Sequence, residues 1–506
     1  MRPLLALVVL ILVTGITMPW WGSSPGVAAT TPRLAVGGFI TLDPIQASSL
    51  EEFRLLDALC EPLVRINPQT LQPEPALAER WSHDAISTAW TFTLRAARWR
   101  DDSPITAAQM AAGLQRHRDG SASGTALDAI TAMTAPDDHT LLITCSRPQA
   151  TLVQILATPV FVPLHPAMAS PTAWTDPRMI IGNGPMICDQ VAPRHHLDLV
   201  PSPTYRGPAQ AKGTVRLLIV DDAGTSVRLY LDGRVDAVLR LNADTIGDLR
   251  RVASPDLQST GSWGTELYRL RVEAHADRLL IPLDVRRALA RSVDRAALVH
   301  ELLHDNGEPA TTLVPRTAEQ LGYQAPATVL AYDLAAARRD LVTYATESNQ
   351  DIPPIELLVP SNQPERLRIA EWLCDRWQRD LGISVRVAAV PANLAQSRVK
   401  ARDYDLARGS VIGDYLDPAY FLNCFQTNSG MNRTGFSDPA YDALLLSAED
   451  DPAQRLAVLA QAETRLLESA PIIPLFHYAC AFLVTPTLKG IHANTLEQVR
   501  YFEIGF

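Results

Sequence analysis

Ile355-Glu356-Leu357-Leu358-Val359, followed by Pro364-Glu365-Arg366-Leu367-Arg368-Ile369-Ala370-Glu371-Trp372-Leu373-Cys374-Asp375-Arg376-Trp377-Gln378-Arg379-Asp380-Leu381, is the stretch that decides the fold. The first segment is a short apolar run rich in branched side chains and reads as a buried strand. In the second, Leu367, Ala370, Cys374, Trp377 and Leu381 recur at helical spacing and form one apolar face. Pro364 fits the first turn of that helix, and Gly382 stands just past its end. Ser384 to Val390 then reads as a strand, Asn393 to Arg402 as a helix and Tyr404 to Ala407 as a third strand. Such alternation predicts a mainly parallel sheet covered by helices.

An earlier region has the same pattern. Val215 to Val220 reads as a strand and Thr225 to Asp232 as a helix closed by Gly233, and Val235 to Leu239 reads as a second strand. Two α/β lobes this far apart in the chain predict a cleft between them, with ligand bound beyond the carboxyl ends of strands. In the later lobe that place is Gly409-Ser410-Val411-Ile412-Gly413-Asp414-Tyr415. The first third of the chain adds strands of alternating pattern at Trp90 to Arg95 and Thr140 to Thr144.

The 506 residues exceed one ordinary domain, and 47 % hydrophobic with 20 % charged residues excludes disorder. A net charge of −10 without a basic run excludes a nucleic-acid partner. Arg2, the apolar run Leu4 to Val13 and the small residues ending at Ala28-Ala29 read as a signal peptide over 1–29, cleaved after Ala29. The six cysteines form no CxxC pair, which excludes a zinc ribbon, and at most one disulfide is expected.

Two motifs carry candidate chemistry. His300-Glu301-Leu302-Leu303-His304 is an HExxH: on a helix the two histidines share a face and ligate zinc, with Glu301 as general base of a peptidase. Asp305-Asn306-Gly307 ends the helix directly afterwards, which favours coincidence. No GxSxG, GxxxxGK[ST] or GxGxxG occurs. Asp414 lies at the cleft mouth between Gly413 and Tyr415 and has two readings, a loop-capping aspartate or the acceptor of a ligand's ammonium group. Asp417-Pro418 reads as the start of a helix from Ala419 to Phe425.

Taken in order, the motifs resemble those of the family 5 extracellular solute-binding proteins of ABC importers, the oligopeptide- and dipeptide-binding group. Leu42-Asp43-Pro44, Cys60-Glu61-Pro62-Leu63-Val64, Pro75-Ala76-Leu77-Ala78-Glu79-Arg80-Trp81 and Asn183-Gly184-Pro185 are similar to motifs of that family. So are Val285-Arg286-Arg287-Ala288-Leu289, Asp414-Tyr415-Leu416-Asp417-Pro418, Asn432-Arg433-Thr434-Gly435-Phe436 and Pro471-Ile472-Ile473-Pro474-Leu475-Phe476. The resemblance implies a type II periplasmic-binding-protein-like α/β fold, with two α/β lobes hinged around a cleft and an extra small α+β lobe. It implies lobe I at 30–52, 178–269 and 481–506, lobe II at 53–177 and lobe III at 270–480, with hinge crossings near Leu270 and Cys480.

The resemblance further implies a monomeric periplasmic receptor, without catalysis or cofactor, that closes on a short peptide and delivers it to ABC permease and ATPase subunits. Asp414 would pair with the peptide's α-amino group, and Val411, Ile412, Gly413, Ser48, Ser49, Leu50 and Tyr478 complete the implied binding set. Val411 stands where many oligopeptide binders have Trp, Ile412 replaces a cysteine of some, and Asp102 replaces a glycine. These departures imply a ligand shorter than an oligopeptide, or a non-peptide such as the nickel, haem or sugar bound by other relatives.

Overall fold

The computed structural model describes residues 31–506, apart from 121–126, 253, 276, 277, 279, 328, 329, 350, 450–452 and 493. The signal segment at 1–29 lies outside the described residues. Among the described residues, eleven strands form one mixed sheet, and a separate four-stranded antiparallel sheet holds Ala78–His83, Ala89–Leu94, Thr140–Cys145 and Ile130–Asp137.

The decisive stretch folds as its pattern requires. Ile355–Pro360 is a strand and Pro364–Leu381 a helix whose Ile369, Ala370, Leu373 and Trp377 are buried. Gly382 ends that helix at φ 72°, a left-handed conformation that costs glycine little. Val385–Val390 and Leu406–Ile412 flank Ile355–Pro360 in parallel. The earlier region gives Val215–Ile219, the helix Ala223–Leu231 and Ala237–Val238, with Arg33–Val36 running parallel between the two strands.

The expectation of a mainly parallel sheet needs correcting. Two long strands, Leu257–Leu270 and Ile472–Val484, pair antiparallel with each other and join the two parallel groups. Each passes from one apolar cluster to another. Leu483 packs with Tyr230 and Val238, whereas Leu267, Ile472 and Ile473 pack with Leu357 and Trp377. Their pairing breaks register between Gly261 and Thr265, where Ser262, Trp263 and Gly264 lie opposite Tyr478. An irregularity of this kind bends the ladder and re-aims side chains, and this one sits where the two cores meet.

The third parallel strand is also longer than its sequence pattern suggests. It continues from Ala407 through Ile412 because Gly264 to Leu270 pair with it along its whole length. Its other neighbour, Ile355–Pro360, pairs with it only at Leu406 and Ala407. From Arg408 onward no strand covers that edge, where the Ser410 carbonyl instead accepts Arg269 Nη2 at 3.0 Å.

Candidate functional site

A cavity of about 640 Å³ opens at the register break. Ser48, Leu50, Ile412, Gly413, Asp414 and Tyr478 of the expected set line it. The structure brings these six together from three distant parts of the chain.

The loop at Ser48 is held by one carboxylate. Glu52 accepts the amides of Ile40, Thr41, Ser48 and Ser49, and the Ser49 hydroxyl accepts the Glu52 amide in return. Burial pushes the Glu52 carboxyl up, but the four amides outweigh it and leave the pKa below the ordinary value. The Ser49 side chain is thereby spent on capping the helix Leu50–Leu59 and does not line the cavity. Val411 does not line the cavity either: it is only 4 % exposed and its side chain packs in the apolar core.

Period-two alternation explains this division. The Gly413 amide bonds the Trp263 carbonyl, so Val411 and Gly409 also point their amides toward the neighbouring strand. Arg408, Ser410 and Ile412 turn the opposite way, and all three line the cavity. Gly413 has a specific steric reason. A Cβ there would lie 2.3 Å from the Trp263 ring, which is fully buried and donates to the Tyr415 carbonyl at 2.8 Å. That contact sets the turn presenting Asp414.

Asp414 lines the cavity and is exposed to solvent. Desolvation raises its pKa above the usual aspartate value, and the Tyr420 hydroxyl, donating at 3.2 Å, opposes the shift. No cation pairs with it among the described residues. By contrast, Asp417 caps the helix Pro418–Asn423 and holds Arg455 at 2.7 Å, consistent with its reading as a helix start.

Sequence reasoning missed a buried ionic cluster at the floor. Glu266, wholly buried, accepts two hydrogen bonds from Arg408 at 2.8 and 2.7 Å and one from the Tyr478 hydroxyl, with Arg366 Nε at 3.6 Å. Burial raises the Glu266 pKa, but Arg408 and Arg366 bring it below the ordinary value. Arg366 and Arg408 also line the cavity. Alternation along 406–412 was the available signal for Arg408; nothing local marks Arg366.

The HExxH does not form a metal site. The helix Arg295–Leu303 ends at His304, whose left-handed backbone (φ 50°) takes it off the face that carries His300. The Glu301 carboxylate accepts the Trp372 indole N–H at 2.7 Å and pairs with Arg376 at 3.1 Å, and exposed His300 faces Asp305 at 3.2 Å. Among the described residues no three His, Cys, Asp or Glu side chains gather to hold a metal. Each of the six cysteines is unbridged, and no described helix is long and apolar enough to cross a membrane.

Two cores joined by paired crossing strands, with a cavity at the crossing, define a type II periplasmic-binding-protein fold. Residues 72–433 match the family of bacterial extracellular solute-binding proteins, family 5, and the chain belongs to it. It is 27 % identical over 479 residues to the dipeptide-binding protein DppE of Bacillus subtilis, covering 89 % of this chain and 87 % of that one. It is 28 % identical over 491 residues to the periplasmic murein peptide-binding protein MppA of Escherichia coli, covering 91 % and 90 %. The solved structure of the Escherichia coli murein tripeptide-binding protein MppA superposes with a TM-score of 0.80 at 25 % identity, over 95 % of this chain and 99 % of that one.

Proposed function

We propose that the protein is an exported, monomeric receptor that encloses a short peptide in this cavity and hands it to the membrane and ATPase subunits of an ABC importer. The relatives named for dipeptides and murein peptides support the ligand class. In this reading residues 1–29 are a cleaved signal peptide that delivers the chain to the periplasm. Lobe I comprises 30–52, 178–269 and 481–506, lobe II 53–177 and lobe III 270–480, and closure bends the paired strands at their register break.

One observation carries the reading: an exposed carboxylate on the cavity wall, Asp414, has no cationic partner among the described residues and lies two residues past a strand that no other strand covers on one edge from Arg408 to Ile412, only the Ser410 carbonyl there being taken, by Arg269. An extended peptide adds to that edge through main-chain hydrogen bonds, which tolerate varied side chains. Its ammonium group meets Asp414, and its terminal carboxylate meets the spare donors of Arg408 and Arg366. Arg408 and Asp414 lie six residues apart, about 20 Å at the usual strand rise; inward-reaching side chains leave roughly 10–13 Å, the length of an extended tri- or tetrapeptide.

Calorimetry with tri-alanine and N-acetyl-tri-alanine tests this reading. The free amine binds and the acetylated peptide does not; equal affinity for both contradicts the amine clamp.

A further inference from the structure

Six arginines line the cavity. Five hold carboxylates: Arg54 pairs with Glu51, Arg65 with Asp57, Arg366 with Glu365, Arg408 with Glu266 and Arg500 with Glu74. The sixth, Arg240, has no ion pair or hydrogen bond among the described residues and stays exposed to the cleft. Its surroundings do not resemble an ordinary solvated surface, because both neighbours along the chain, Leu239 and Leu241, line the same cavity.

The fold places the backbone of Arg240 on one wall of the cleft. Arg240 follows the strand Ala237–Val238 at the carboxyl ends of the parallel strands near Arg33–Val36, where such sheets present ligand sites. Its Nη1 lies near Gly37, at ordinary van der Waals distance (3.4 Å) from where a Cβ there would be. The register Ala237 to Val484 and Val238 to Leu483, carried on two residues, sets Arg240 opposite Ala481. That is three residues from Tyr478, about 10 Å along the strand. Arg240 is thus a separate cation from the Arg408–Arg366 cluster, on the opposite side of the register break.

We infer that Arg240 is a carboxylate subsite on the first-lobe wall, which makes the receptor selective for short peptides bearing an acidic side chain. A planar guanidinium with an unoccupied fork takes a carboxylate through two parallel hydrogen bonds, and neither a neutral amide nor an amine satisfies it as well. The peptide's termini are already assigned to Asp414 and to Arg408 with Arg366, so the group left for Arg240 is a side-chain carboxylate. The inference rests on the peptide reading above and adds to it the chemical class of ligand.

The test is calorimetry on the full-length protein and on Arg240→Gln, with a single glutamate walked through the three positions of tri-alanine and a glutamine counterpart for each. The unaltered protein should bind one glutamate peptide about tenfold or more tighter than its glutamine partner. Arg240→Gln should erase that preference while leaving affinity for the glutamine peptide within about twofold. Equal affinity for every glutamate–glutamine pair in the unaltered protein overturns the inference and leaves the peptide reading standing. A preference that survives Arg240→Gln also overturns it, by assigning the carboxylate to another residue. Failure of all the peptides to bind the unaltered protein overturns the peptide reading and this inference with it.

Discussion

Replacing Glu266 with Gln tests the ionic cluster that joins cleft floor to crossing strands. Glu266 is fully buried and neutralises Arg408, with Arg366 beside it, while the Tyr478 hydroxyl takes a further lone pair. Glutamine keeps one acceptor oxygen but points an N–H2 group at a guanidinium and leaves two cations facing each other. Orphaning a buried charge costs about 3–5 kcal/mol, and the surviving hydrogen bond returns about 1, for a net loss of roughly 2–4 kcal/mol. For a lobe of ordinary size each kcal/mol lowers the melting temperature by about 2–4 °C, so a drop of about 5–15 °C is expected by calorimetric or circular-dichroism melting. The pKa of Glu266 is depressed in the folded state. Its stabilisation is therefore present above the unfolded carboxylate pKa and is lost as pH falls through the folded one. The gap between the two proteins should narrow in acid. A variant melting within about 2 °C of the parent at neutral pH would refute the reasoning.

Gly413→Ala should destabilise the protein by about 1–3 kcal/mol and shift the intrinsic tryptophan fluorescence, because the new methyl overlaps the Trp263 ring; an unchanged melt and spectrum would contradict that contact. Glu463, wholly buried, accepts the Leu313 and Val314 amides and the Tyr323 hydroxyl, and desolvation raises its pKa to about 7. A carboxyl raised in the folded state favours folding fully below its unfolded pKa and progressively less as pH rises to about 7. Glu463→Gln keeps the two amide bonds and donates to Tyr323, so urea titrations should show a flatter stability profile from pH 4.5 to 7 than the parent. Affinity for tri-alanine should be full above the raised pKa of free Asp414 and fall as pH drops through it, because only the carboxylate attracts ammonium; calorimetry across acidic pH showing no decline would contradict this.

Much of the architecture is legible in local pattern. The helix Pro364–Leu381 is marked by its apolar spacing, its first-turn proline and the glycine that ends it, all within one segment. The extent of the strand Leu406–Ile412 is not, because Arg408, Gly409 and Ser410 interrupt its apolar run and its partner lies about 140 residues away. Local pattern does not show the crossing strands, whose positions near Leu270 and Cys480 come only from the resemblance, because their pairing is set by tertiary contacts between the two cores. Asp414 stands out through its neighbours and the resemblance of its motif. The resemblance implies that backbone groups at Val411 and in the loop Ser48 to Leu50 meet a ligand; pattern alone does not show that Val411 lies within a strand and that Ser49 caps a helix, so that neither lines the cavity. Arg240 and Arg366 look like any other arginine in the sequence; whether a guanidinium has a partner is decided only by packing.

The most direct test of the account is calorimetric titration of tri-alanine into the parent protein and into Asp414→Asn, at a pH above the Asp414 pKa. The variant keeps the shape of the site and removes only the charge. Affinity should fall by about two orders of magnitude or more with the melting temperature preserved. Binding retained within about threefold of the parent would contradict the claim that this carboxylate holds the ligand's amine.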